Sequence, residues 1–70
     1  MNIEVQTSYE FNGDFSLDEV AEKAVGRVRD FSGAGCGERD LGWVVKSRRE
    51  AHEFKRALEK VGLTAEVVEE

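Results

Sequence analysis

Few side chains in this chain can do chemistry. There is one cysteine, Cys36, and one histidine, His52. A nucleophilic cysteine needs a lowered pKa. Arg39 is near Cys36 in sequence, but so are Glu38 and Asp40. Cys36 also follows the C-terminal side of an expected helix, where the dipole disfavours a thiolate. His52 stands among Arg48, Arg49, Lys55 and Arg56, with no carboxylate or second ligand spaced to orient it. No nucleophile–base pair, carboxylate dyad or metal-ligand spacing emerges. The expectation is a protein that is not an enzyme and holds neither cofactor nor metal.

The segment Ser32–Asp40 is the candidate contact loop, with Gly33, Gly35, Cys36, Arg39 and Asp40 as its candidate contacts. Glycines let backbone N–H groups turn toward an anion, and Arg39 could add a charge. The glycines follow a helix, however, whereas a phosphate-binding loop precedes one, and no Gly-Lys-Ser/Thr is present. The plainer reading of the same residues is a flexible connection, long enough to hold a short extra edge strand.

Charge carries more information. The formal net charge is −5. Lys46 to Lys60 holds six basic and three acidic residues, a local +3 that leaves −8 on the remainder. Arg48, Arg49, His52, Lys55 and Arg56 form a basic helix flank opposed to an acidic remainder. The spacing offers Glu59–Lys55 and Glu53–Arg56 as intrahelical pairs. Polarised charge of this kind can also speed and select encounters with a partner.

The elements that position these residues follow from periodicity. Ile3, Val5, Thr7, Tyr9 and Phe11 alternate with Asn2, Glu4, Gln6, Ser8 and Glu10, as in a strand with one buried face. Asn12-Gly13-Asp14 is a turn. Ser16-Leu17-Asp18-Glu19 has capping-box spacing, with Phe15 and Val20 placed as a hydrophobic staple. Leu17, Val20, Ala21, Ala24, Val28 and Phe31 form the expected buried stripe of this helix. Gly26 inside it costs ~1 kcal/mol against alanine, or allows close packing on the sheet.

Leu41-Gly42-Trp43-Val44-Val45-Lys46 is a second strand, with Trp43 expected in the core. Ser47 and Glu50 form another capping box, and Ala51, Phe54, Leu58 and Val61 supply the inner stripe of a second helix. Gly62 suits a left-handed helix end, with Leu63 and Leu58 as its hydrophobic pair. Leu63, Ala65 and Val67 then share one face of a last strand.

The chain is expected to be one α+β domain over residues 1–70: a small antiparallel sheet of three strands, with room for a fourth, and two helices on one face. The order β-α-(β)-β-α-β matches the ferredoxin-like pattern if the first strand is central. The alternative pairs the last two strands in parallel through a right-handed crossover. An open sheet face would display Glu4, Gln6, Ser8, Glu10, Val44, Thr64, Glu66 and Val68. Glu4, Glu10, Val44 and Glu66 are its candidate partner-binding residues.

Tyr9, Phe11 and Trp43 are expected to point inward, leaving no aromatic platform for RNA. The start Met1-Asn2-Ile3-Glu4 lacks the regions of a signal peptide, and the lone cysteine suits a reducing setting, so a cytoplasmic location is expected. No run reaches membrane-spanning length. The function these features favour is a small acidic interaction module, a regulator or phage-type inhibitor acting on a protein partner. A homodimer through a sheet edge is a candidate assembly. Nucleic-acid or anion binding through the basic flank and glycine segment is the alternative.

Overall fold

Alternation along the N-terminal residues produces β1 (Ile3–Glu10) in the computed structural model, which describes residues 3–69. Asn2, expected on the outward face of this strand, lies outside the described residues. The remaining elements are α1 (Ser16–Val25), β2 (Phe31–Gly35), β3 (Glu38–Val45), α2 (Arg48–Lys60) and β4 (Thr64–Glu69). They form one four-stranded sheet in the order β2-β3-β1-β4, antiparallel throughout. The long first strand therefore lies between β3 and β4, and the parallel alternative is not formed. Described residues 3–69 contain no helix long and apolar enough to cross a membrane.

The register explains the core. β1 pairs with β3 from Ile3↔Val45 to Glu10↔Glu38, and with β4 from Ile3↔Glu69 to Ser8↔Thr64. Odd-numbered residues of β1 and β3 share the face under the helices. Ile3, Val5, Leu41, Trp43 and Val45 pack there against Ala21, Ala51, Leu58 and Leu63. Trp43 is fully buried, as expected, and donates its indole N–H to the Arg27 carbonyl at 3.0 Å. A buried indole N–H needs such a partner. Phe54 meets its ring edge-on at 6.2 Å between centroids.

The second helix forms nearly as its sequence implies. The Ser47 hydroxyl accepts from Glu50 N–H at 3.2 Å. The Glu50 carboxylate reaches back one residue further than expected, to Lys46 N–H at 3.2 Å. At the other end Gly62 adopts φ 85°. Leu63 N–H donates to the Leu58 carbonyl and Gly62 N–H to that of Glu59, the two bonds of a Schellman close. Val61, expected inside, is 43% exposed.

The first helix departs from expectation. It ends at Gly26, whose φ of 74° lets both Gly26 and Arg27 donate to the Glu22 carbonyl. Gly26 is thus a terminator, and Phe31 belongs to a strand. The expected capping box does not form: Phe15 is the N-cap, and Asp14 Oδ1 accepts from Ser16 N–H at 2.9 Å. The inward residues are Asp18 and Ala21, while Leu17, Val20 and Val28 are exposed. The physical reason is an ion pair. Asp18 turns to the sheet to meet Arg39, which rotates the apolar stripe toward solvent.

Candidate functional site

The segment read as a loop is a hairpin. β2 pairs with β3 from Phe31↔Gly42 to Gly35↔Glu38, leaving only Cys36 and Gly37 as the turn. Both have positive φ, 53° and 79°, the requirement of a type I′ connection. Gly33 and Gly35 are strand residues, so the N–H groups expected to gather round an anion are divided between a ladder and its edge. Cys36 is exposed at the tip.

Arg39 and Asp40 are adjacent in sequence but lie on opposite faces of the sheet. Arg39 is buried, and donates from Nη2 to Asp18 Oδ2 at 2.8 Å and from Nε at 3.1 Å. The Tyr9 hydroxyl donates to the other carboxylate oxygen. Phe15 caps the group, with the Arg39 guanidinium 4.9 Å from its ring centroid. Arg29 Nη1 stands 3.9 Å from Asp18 and 2.8 Å from Glu22.

Burial opposes ionisation of Asp18. Hydrogen bonds from Arg39 and Tyr9, and the charges of Arg39 and Arg29, outweigh it and hold the carboxyl below its ordinary pKa. Burial, reinforced by the bond to Asp18, pushes Tyr9 up to about 12. This cluster is closed and internally paired. It orients α1, and Arg39 is not available to an outside anion.

The opposite sheet face is open. Cross-strand register arranges it in rows: Val44–Glu4–Val68, then Phe31–Gly42–Gln6–Glu66, then Gly33–Asp40–Ser8–Thr64, then Gly35–Glu38–Glu10. Five of these positions are carboxylates (Glu4, Glu10, Glu38, Asp40, Glu66), and none is Lys or Arg. Gln6 Nε2 donates to Glu4 Oε1 at 3.1 Å. Gln6, Ser8, Asp40, Thr64 and Glu66 line a polar depression in the centre of this face.

Beside the carboxylates lie two apolar side chains, Phe31 at 40% exposure and Val44 at 41%. The Phe31 ring covers Gly42 so closely that a Cβ there would overlap ring atoms. That contact requires glycine at position 42. The expectation that no aromatic reaches this face covered Tyr9, Phe11 and Trp43 and overlooked Phe31. Its signal was available: Phe31, Gly33 and Gly35 alternate with period two before a two-residue turn, opposite Gly42, Asp40 and Glu38. The same register adds Glu38 and Asp40 to the expected Glu4, Glu10, Val44 and Glu66.

The basic flank stands apart on α2. Arg48, Arg49, His52 and Arg56 are exposed and Lys55 is half-buried. Arg48 Nε bonds Glu69 Oε1 at 2.8 Å. The intrahelical pairs expected from Glu59–Lys55 and Glu53–Arg56 are not among the ion pairs of the described residues. Among those residues no group of three His, Cys, Asp or Glu is placed to hold a metal ion. No protein-family model, curated protein or solved structure matches this chain.

Proposed function

We propose that the chain is a small interaction module whose open sheet face binds a basic surface of a protein partner. The observation that carries this reading is the composition of the rows of that face: five carboxylates and no Lys or Arg among the paired positions that include the exposed Phe31 and Val44. Arg27, at the β3 edge, is bonded to the Val44 carbonyl at 2.8 Å and to Asp30 at 2.6 Å. The carboxylates steer a cationic partner by complementary potential, and the two apolar side chains supply the area that loses water on contact. One form of this activity is inhibition, with Glu4, Glu10 and Glu66 standing where a nucleic-acid-binding partner holds phosphates. The reading needs no catalytic group.

We also assign the connectivity to the ferredoxin-like pattern, supported by the β-α-β-β-α-β order and a central β1 flanked by β3 and β4. A pattern of this kind is shared by many activities, so the function rests on the face and not on the fold.

The test is a tagged pull-down from native extract at low and moderate salt, with the wild-type chain beside the Glu4→Gln, Glu10→Gln, Glu66→Gln triple variant. The expected result is a stoichiometric protein retained by the first and lost by the second. Equal retention by both overturns the sheet-face reading. Nucleic acid recovered in its place, and released by modest salt, transfers the function to Arg49, His52 and Arg56 on α2.

A further inference from the structure

A second surface has no use in that function. The rotation of α1 leaves Leu17, Val20 and Ala24 on one flank of the helix, at the three- and four-residue spacing of a stripe. Leu17 and Val20 are 36% and 37% exposed, and Val61 at the end of α2 is 43% exposed. Ala24, Ala57 and Val61 line a groove between the two helices, bordered by Glu53, Arg56 and Lys60. An amphipathic stripe normally faces a core, and this one faces outward.

From this arrangement we infer that the helix layer is a homodimer interface, in which α2 of one protomer packs antiparallel on α2 of its partner about a two-fold axis near Ala57. Three features select a second copy as the occupant. First, the rim is self-complementary at its two ends, while Arg56 faces Ala57 of the partner subunit at the axis. Glu53 lies four residues before Ala57 and Lys60 three after it. A two-fold axis between positions 56 and 57 therefore sets Glu53 of each protomer against Lys60 of the other, as an isologous contact requires. Neither residue is in an ion pair among the described residues.

Second, Ala57 is small, which lets two helix backbones approach at the axis while Val20, Ala24 and Val61 close over it from both sides. Third, the other broad face excludes a copy of itself, because five carboxylates would meet five more. Dimerisation through the helices leaves both acidic sheets facing outward, so the assembly presents two copies of the proposed binding face.

The test is the mass in solution of the full 7.8 kDa chain. It is measured by light scattering after size exclusion, across a range of concentrations and in reducing buffer to prevent cross-linking through the exposed Cys36. The wild-type chain is expected at twice the monomer mass. Ala57→Arg sets a new cation of each protomer beside Arg56 of the partner subunit at the axis and is expected to halve the mass with an unchanged circular dichroism spectrum. Glu53→Lys and Lys60→Glu, each alone, are expected to weaken the dimer, and the double variant to restore it. The single charge variants keep the test decisive if Ala57→Arg fails to fold, since both Glu53 and Lys60 are exposed. A wild-type chain that stays monomeric at millimolar concentration overturns the inference. So does a dimer indifferent to all of these changes, which would place the contact at the edge of β2 or β4.

Discussion

The two faces of β3 treat charge in opposite ways. Inward, Arg39 stands at the end of a row with Leu41, Trp43 and Val45, and its charge is matched by Asp18 with help from Tyr9. Outward, Glu38 and Asp40 stand with Gly42 and Val44, and among the described residues no Lys or Arg occupies the paired rows of that face. A buried charge without a partner would be costly, so the inner pair fixes where α1 sits. An exposed charge costs little, so the outer carboxylates are free to serve an encounter. Inner substitutions should therefore act on stability, and outer ones on binding.

The largest effect expected on this division is at Trp43. It is fully buried between sheet and α2, and Trp43→Ala removes about 3–5 kcal/mol. That is a large share of the stability of a domain this small, and chemical denaturation should find the variant substantially unfolded.

Asp18→Asn comes next. It keeps the shape of the side chain but leaves Arg39 buried without its counter-charge. Thermal melting at neutral pH should show a clear loss, and the pH profile should change shape. The Asp18 pKa is lowered on folding from the ordinary 3.8, so its contribution is present in full above that value and is lost as pH falls through the lower folded value. The wild-type chain should lose this increment in acid, and the variant should have none to lose. Tyr9 gives the opposite limb. Its pKa is raised from 10.0 to about 12, so its contribution holds below 10.0 and disappears as pH rises toward 12.

The smallest effect belongs to the outer face. Glu10→Gln and Glu66→Gln should each move the melting midpoint by less than about 4 °C, because neither residue makes an ion pair among the described residues. A larger fall would break the division between the faces, since it would give the outer carboxylates a structural role.

The parts legible in the sequence were those governed by local rules. The alternation of β1, the Ser47 cap, the Gly62 close and the position of Trp43 each depend on neighbours a few residues away. The orientation of α1 depends on Asp18 meeting Arg39, which is 21 residues distant. Composition alone sends an aspartate to solvent, so periodicity points the apolar stripe inward. The edge strand, for which the sequence leaves room, could not be placed for another reason. Gly33 and Gly35 lower strand propensity, and only the Cys36–Gly37 turn with Gly42 opposite Phe31 makes the pairing evident. Five positions of the open face, Phe31, Gly33, Gly35, Glu38 and Asp40, therefore fall by local rules in a helix or a connection.

The most direct measurement is amide chemical-shift mapping of the isotope-labelled chain as the protein captured in the pull-down is added. The expected result is that perturbations gather at Glu4, Gln6, Phe31, Asp40, Val44 and Glu66, across the rows of the open sheet face, and weaken with salt. Perturbations gathered at Arg49, His52 and Arg56, with the sheet face unmoved, would contradict the assignment of function to that face.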